Sequence, residues 1–408
     1  MFEPDSYERN YLARASLDHC LKCTICETAC PVAAVTPLFA GPKTVGPGAE
    51  RLRDGQMIDS AVDYCSSCGT CTLVCPQGVK IAELNSVNRA AFKQDHMPLR
   101  DQLISRTTLM GKAMTPLAPV ANLALRNRPL RRLIEATVGI HHQAALPTAQ
   151  RHTFRHWLKH HKPSQNSGQR GRLLFFHGCA GQYFEVAAAI AAVEVLEHLG
   201  YQVVVPEQGC CGLAKQSNGL YDSARRDVRR LASALAGPPD LPIVTTAASC
   251  AGMVKHEARE IMGVSDQAVE QAGRRMRDFS EFLLNLLDDG DLAVQFRPMP
   301  LRVTYHAPCQ LHGQGIGSPA LALLRLIPQL EVVESTAACC GMAGTYGVKK
   351  EKYPVAAAVG AALFELVRQT NPALAVCDTE TCRWHIAKAT GAKVVHPASL
   401  IHQALLGQ

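Results

Sequence analysis

Aromatic side chains are scarce in this chain of 408 residues, at 5% of the total. Its cores must therefore be aliphatic and alanine-rich rather than built on stacked rings. No apolar run reaches the roughly 18 residues that a membrane-spanning helix needs. The nearest approach, Thr107 to Leu125, is interrupted by Lys112, Pro116, Pro119 and Asn122, so we expect no transmembrane helix. No G-x-G-x-x-G follows a strand-like run and no Walker A motif occurs, so no flavin, NAD or nucleotide site is expected here. The net charge is +7, but no recognition motif accompanies it, which argues against nucleic acid as a partner. The opening Met1-Phe2-Glu3-Pro4-Asp5 is polar and acidic, unlike a signal peptide. A reducing compartment is the expectation, and there cysteine serves metals more often than disulfides. Cysteine itself is missing from the whole stretch between Cys75 and Cys179, which separates two kinds of chemistry.

Seventeen cysteines lie on either side of that gap. The first eight form two copies of one motif. One runs Cys20-x2-Cys23-x2-Cys26-x3-Cys30-Pro31 and the other Cys65-x2-Cys68-x2-Cys71-x3-Cys75-Pro76. This is the bacterial ferredoxin spacing, in which three close cysteines wrap one [4Fe–4S] cluster and the fourth ligates the other. We therefore expect two [4Fe–4S] clusters. Cys20, Cys23, Cys26 and Cys75 would hold the first, and Cys65, Cys68, Cys71 and Cys30 the second. A zinc site, which more often uses two separated pairs, and a disulfide framework are the alternatives.

Turns and periodicity divide the rest. Gly41-Pro42-Lys43 and Gly46-Pro47-Gly48 mark turns, and a helix is expected to begin in Glu50-Arg51-Leu52-Arg53. Further helix is expected from Asp59 to Tyr64 and from Ile81 to Lys93. The helix-rich insert between the motifs favours an α-helical ferredoxin domain, residues 1–100, over the compact βαββαβ type. Residues 101–170 read as a helical, basic linker. It contains Arg126, Arg128, Arg131 and Arg132, and then Arg151 to Lys162, where Phe154, Trp157 and Leu158 interrupt the charge. That stretch suits either an anionic membrane surface or a solvated linker. Its histidines, His141, His142, His152, His156, His160 and His161, read as a solvated face rather than metal ligands. Beyond the polar Pro163 to Gly171, the apolar runs Leu173 to Phe176, Val203 to Val205 and Ile243 to Thr246 alternate with helical periodicity over Val186 to Leu199. Alternation of this kind implies a parallel α/β layer.

This half is duplicated. His177-Gly-Cys179 recurs as His306-Ala-Pro-Cys309, Cys210-Cys211-Gly212 as Cys339-Cys340-Gly341, and Ser249-Cys250 as Thr381-Cys382, each about 130 residues later. The repeats are placed at 171–295 and 296–408. Neighbouring cysteines do not fit separate corners of a compact cubane, but they can bridge irons in an irregular cluster. The alternatives are buried small apolar packing or a redox dithiol. The paired glycines Gly212 and Gly341, with Gly344, are expected to allow close backbone approach or positive φ. His177 and His306, at matching strand ends, are either satisfied core residues or tune a nearby sulfur.

The landmarks of this half resemble the CCG-domain iron–sulfur family, found in heterodisulfide reductases and in the iron–sulfur proteins of lactate, glycolate and glycerol-3-phosphate oxidising complexes. Within it, the first cysteine motif, Gly41-Pro-Lys-x2-Gly46-Pro-x2-Glu50-Arg-Leu-Arg53, Thr108-Leu-Met-Gly111, Ala343 to Pro354 and Thr379-Glu-Thr-Cys382-Arg-Trp384 look like the C subunits of anaerobic glycerol-3-phosphate dehydrogenases. The resemblance implies an electron-transfer component with no catalytic residue of its own. Its partners would be flavin-containing catalytic A/B subunits and menaquinone, and it would attach peripherally to the cytoplasmic face of the inner membrane. The iron–sulfur component of a lactate or glycolate oxidase, or a heterodisulfide-reductase-like enzyme, is the alternative. Complete CCG motifs hold noncubane iron–sulfur clusters through five cysteines. Repeat 1 offers Cys179, Cys210, Cys211 and Cys250, with Thr245 where repeat 2 has Cys377. Repeat 2 offers Cys309, Cys339, Cys340, Cys377 and Cys382, closing C-x4-C rather than C-x2-C. One or two further noncubane clusters in these repeats are therefore an expectation that the departures weaken.

Overall fold

The strand Arg172–Phe176 (β1) shows why this sequence makes a layered fold: every residue after Arg172 is buried. Leu174 and Phe176 enter one hydrophobic core while Leu173 and Phe175 enter another. Alternation with both faces apolar is the pattern of a parallel strand covered by helices on both sides. In the computed structural model, which describes residues 16–52, 60–94, 97–290 and 294–407, β1 pairs in parallel with Gln202–Val204 (β2) and with Ile243–Thr245 (β3). Met276–Asp278 (β4) adds outside β3, giving the order β2-β1-β3-β4. Helix Val186–His198 covers one face and Tyr221–Ala234 the other. Each large apolar side chain buried this way contributes about 1.5–3 kcal/mol.

The second repeat copies the plan. Leu301–His306 (β5), Leu330–Glu334 (β6), Leu374–Cys377 (β7) and Val394–Val395 (β8) form a parallel sheet in the order β6-β5-β7-β8. His306 stands beside Cys377 in the register of β5 and β7. The repeats pack on each other: Leu323, Ala398 and Ile401 of the second join the core around Val193 and Leu196 of the first. Arg383 closes the seam with an ion pair to Glu185 at 2.8 Å.

The N-terminal part is helical, with no strand among its described residues 16–94. Short helices Ile25–Thr28 and Thr70–Leu73 lie against each other, and Ile81–Gln94 is the long support. Gly46-Pro47-Gly48, expected as a turn, lies instead inside a helical segment, Thr44–Gly48, kinked at Gly46, which runs directly into the helix Ala49–Leu52, and Ser60–Tyr64 is a single 3-10 segment. Met1 to Asp5, Arg53 and Asp59 lie outside the described residues.

The basic stretch from Arg151 to Lys162 packs its apolar side chains on repeat 1 and leaves Arg151, Lys159 and Lys162 exposed. Phe154 opens the helix Phe154–His160 and is fully buried against Phe175 and His177, with Trp157 and Leu158 packed on the same core. His161 pairs with Glu197 at 2.7 Å, and Arg155 donates to the Pro206 carbonyl. The apolar side chains face inward because repeat 1 supplies a ready aliphatic surface, leaving only the charges outside. Earlier in this region, Arg131 is buried and donates to the carbonyls of His141, His142 and Ala144. Ala144 and Ala145 enter the core of repeat 2.

Candidate metal centres

Two loops carry the ferredoxin cysteines, and both are bent in the same way. Lys22 and Thr24 take φ of 58° and 68°, and Ser67 and Gly69 take 55° and 83°. In each loop these left-handed residues flank the second cysteine. Left-handed backbone costs a non-glycine residue about 1–2 kcal/mol, and here it folds each loop tightly around its thiols. Cys26 and Cys71 sit on the short helices that follow, in one patch with Val79 and Ile81, and Cys20 and Cys75 lie against it. Cys30 and Cys65 share the neighbouring patch with Val32, Phe39 and Val62.

Electrostatics identify the neighbours of each thiol. Burial pushes Cys26 up, and Glu27, Cys75 and Cys20 add to the rise. Burial likewise raises Cys71, with Cys65, Cys68 and Cys30 adding. One cavity is lined by Cys30, Cys65, Cys68 and Cys71. Backbone N–H groups of Ala33 and Val79 point at the sulfurs of Cys30 and Cys75, at 3.5 and 3.4 Å. Crowded thiols with amides directed at sulfur suit an iron–sulfur cluster, in which iron would take the place of the protons and the amides would stabilise the sulfur charge. Arg89 braces the second loop by donating to the Cys65 carbonyl at 2.6 Å.

In each repeat the first thiol of the double-cysteine turn is surrounded by other thiols. Hydrogen bonding from Cys179 and then Cys211 holds Cys210 well below its ordinary value. Cys309 and Cys340 do the same for Cys339. The thiolate is the metal-binding form. The sulfurs of Cys211 and Cys250 lie 3.1 Å apart, and those of Cys340 and Cys382 2.9 Å. Cys377, at the end of β7, is fully buried beside Cys382 and adds to the rise of its thiol. Gly212 and Gly341 follow these turns at φ of 89° and 86°, and Gly344 takes 62°. All of these cysteines are free thiols.

A larger cavity of about 190 Å³ joins the parts. Its wall carries Cys68 of the ferredoxin part, Cys179, Cys210, Cys211 and Cys250 of repeat 1, and Cys309, Cys339, Cys340 and Cys382 of repeat 2. Burial is the main cause that pushes Cys68 up to about 12, and Cys339 comes next; Cys309 in turn feels Cys68. The second ferredoxin set therefore borders repeat 2.

Several residues around these thiols carry no mark in the sequence. Thr107 donates its hydroxyl to Cys179 at 3.2 Å and lies 3.9 Å from Cys210. Nothing local distinguishes a threonine more than seventy residues from its sulfur. The segment after Gly344 clamps the halves together. Thr345 accepts from Asn218 at 2.9 Å, Lys349 reaches Asp101 at 2.7 Å, and Lys352 reaches Asp63 at 2.8 Å. Its run of lysines between two tyrosines was the available signal.

Comparison with known proteins agrees with this layout. The 4Fe-4S dicluster domain matches residues 16–79, and the Cysteine-rich domain (CCG) matches twice, at 173–255 and 303–387. The chain is 36% identical over 397 residues to the C subunit of anaerobic glycerol-3-phosphate dehydrogenase of Escherichia coli (strain K12), covering 96% of this chain and 99% of that one. The chain belongs to this family of anaerobic glycerol-3-phosphate dehydrogenase C subunits. Weaker likeness extends further. The B subunit of the fumarate reductase (CoM/CoB) of Methanothermobacter marburgensis is 28% identical, with 94% of this chain and 69% of that one covered. The iron–sulfur subunit of the glycolate oxidase of Escherichia coli (strain K12) is 25% identical, with 96% and 95% covered. Membership of the C-subunit family makes this chain an iron–sulfur protein of the glycerol-3-phosphate dehydrogenase type.

Proposed function

We propose that this C-subunit homologue carries electrons from a flavin-containing glycerol 3-phosphate dehydrogenase dimer to menaquinone, working at the cytoplasmic face of the inner membrane. The observation that carries this reading is the cavity where Cys68 meets the cysteines of both repeats. A chain that gathers thiols of the ferredoxin part and of both repeats around one cavity suits relay rather than turnover.

Cys20, Cys23, Cys26 and Cys75 would hold one [4Fe–4S] cluster, and Cys65, Cys68, Cys71 and Cys30 a second. Bound there, such clusters supply one-electron transfer at potentials set by the surrounding protein. The chain's own residues do the rest. Val32, Phe39 and Val62 keep water from the second set. The amides of Ala33 and Val79 favour sulfur charge. Arg89, buried, brings a guanidinium to the Cys65 carbonyl on the same flank. The cysteines of the repeats would take additional iron or serve as dithiols.

Membrane contact would fall on the helices Thr107–Met114 and Ala118–Arg126. Leu109, Val120 and Leu123 on these helices and Leu117 in the turn between them are 57–71% exposed, beside exposed Lys112, Arg126, Arg128 and Arg132. Apolar side chains rimmed by cations match an anionic bilayer surface.

The test is quinone-linked oxidation of glycerol 3-phosphate by the reconstituted complex. Cys71→Ser should lower it at least about 10-fold, in line with the cost of disturbing a metal site, while the dimer still reduces an artificial acceptor. Undiminished quinone reduction by both Cys20→Ser and Cys71→Ser would overturn the proposal.

A further inference from the structure

His306 ends β5 and is 1% exposed, yet neither of its ring nitrogens has a hydrogen-bond partner among the described residues. A buried imidazole leaves such atoms bare only at a substantial cost, so buried polar atoms almost always find a partner, an ordered water or an ion. Sulfurs lie close to this ring. The ligand atoms of His306, Cys340 and Cys382 all lie within 4.8 Å of one another, and all three residues are buried. Cys339, the residue preceding Cys340, is also close enough to His306 for the two to interact electrostatically.

Each element places its donor for a reason. β5 and β7 run in parallel, which sets His306 level with Cys377. The double-cysteine turn, closed by Gly341 at φ 86°, buries Cys340 in one core with Cys377 at the end of β7. Cys382 lies in the first turn of the helix Glu380–Thr390. Three elements that are distant in sequence thus converge on one point.

Repeat 1 is a built-in control. His177 occupies the same place after β1, but its Nδ1 lies 2.7 Å from the Gly178 carbonyl oxygen, which leaves only Nε2 without a partner. No His–Cys–Cys group forms around it among the described residues. The duplicated halves therefore differ here: repeat 2 groups an imidazole with both ring nitrogens unpartnered beside two thiols, and repeat 1 forms no such group among the described residues.

We infer that repeat 2 holds a metal through mixed nitrogen and sulfur ligation, with His306 joining Cys340 and Cys382. Thiolate with imidazole suits a borderline divalent metal, which here means iron of an iron–sulfur cluster or a single zinc. This goes beyond the electron-transfer reading and does not require it, because a zinc ion in this place would be structural.

The experiment uses the full chain, purified without oxygen, with iron and zinc counted per chain and the ferredoxin centres followed by EPR. His306→Leu fills the space without a ligand, and His306→Cys restores one. If iron is the metal, His306→Leu loses up to about four irons while the ferredoxin signals persist. If zinc is the metal, it loses about one zinc and no iron. His306→Cys recovers the metal in either case, and His177→Leu leaves both counts unchanged. Wild-type iron and zinc in His306→Leu would overturn the inference. A second readout requires no variant. Protein labelled with 15N-histidine should show imidazole nitrogen coupled to a repeat 2 iron by pulsed EPR, or bound to zinc by X-ray absorption. Absence of imidazole nitrogen at both metals overturns the inference even if the variants fail to fold. Missing ferredoxin signals in the wild type would instead sink the electron-transfer reading and leave the His306 measurement intact.

Discussion

At Gly341 an added Cβ would collide with the Ala356 carbonyl, and the residue already takes φ of 86°. Gly212 is its counterpart, where a Cβ would lie 2.8 Å from the Ala224 carbonyl oxygen. Left-handed strain and overpacking each cost on the order of 1–3 kcal/mol. Gly341→Ala should therefore destabilise the chain by about 2–4 kcal/mol in urea unfolding; a loss below about 0.5 kcal/mol would contradict the close approach. Both glycines were readable in sequence because each follows two cysteines. Asp101 was not. It is completely buried between Lys93 at 2.6 Å and Lys349 at 2.7 Å, and although burial opposes ionisation, these ammonium groups hold its carboxyl down at about 2. Removing one member of a buried ionic group leaves the others unpaired, typically at about 3–5 kcal/mol, so Asp101→Asn should lose stability of that size at pH 7. Its ordinary value is 3.8, so the ionised carboxylate stabilises the fold above about pH 4, and the contribution fades as pH falls towards 2. The gap between wild type and Asp101→Asn should narrow over that range. No local pattern foretells such a residue, because its partners come from a helix a few residues before it and from a segment almost 250 residues after it.

Among the elements, three strands of repeat 1 and the covering helix Val186–His198 were legible. Leu173 to Phe176, Val203 to Val205 and Ile243 to Thr246 mark β1, β2 and β3 to within a residue, since apolar runs bounded by turns leave little freedom. The short β4 and β8 were not, because Met276–Asp278 and Val394–Val395 carry too few residues to show a period. The region between the ferredoxin part and the repeats was the least legible. Phe154 among basic residues is compatible with either a core or a membrane, and only the aliphatic face of repeat 1 decides. The exposed apolar surface lies earlier, on Thr107–Met114 and Ala118–Arg126. Replacing Leu117 and Leu123 together by Glu should reduce binding to anionic vesicles at least about 10-fold, from lost apolar burial and added repulsion. Iron content should stay at the wild-type level. Undisturbed vesicle binding would remove these helices from the membrane contact.

Across the whole molecule, the three cysteine-bearing parts are locked into one body. Lys80 pairs with Glu260 at 3.1 Å, Lys352 with Asp63 at 2.8 Å, and Tyr221 donates to the Ser86 carbonyl at 2.9 Å. The sequence shows two ferredoxin motifs and a duplication, but spacing alone does not tell which repeat meets which motif. That depends on the clamp from Gly344 to Pro354, which sets Cys68 against Cys309 and Cys339. The most direct test of the central claim is a measurement of iron and acid-labile sulfide per chain on oxygen-free protein, together with EPR of the reduced state. The account predicts at least about eight irons and two magnetically interacting cubane signals. Fewer than about four irons, or zinc in their place, would contradict it.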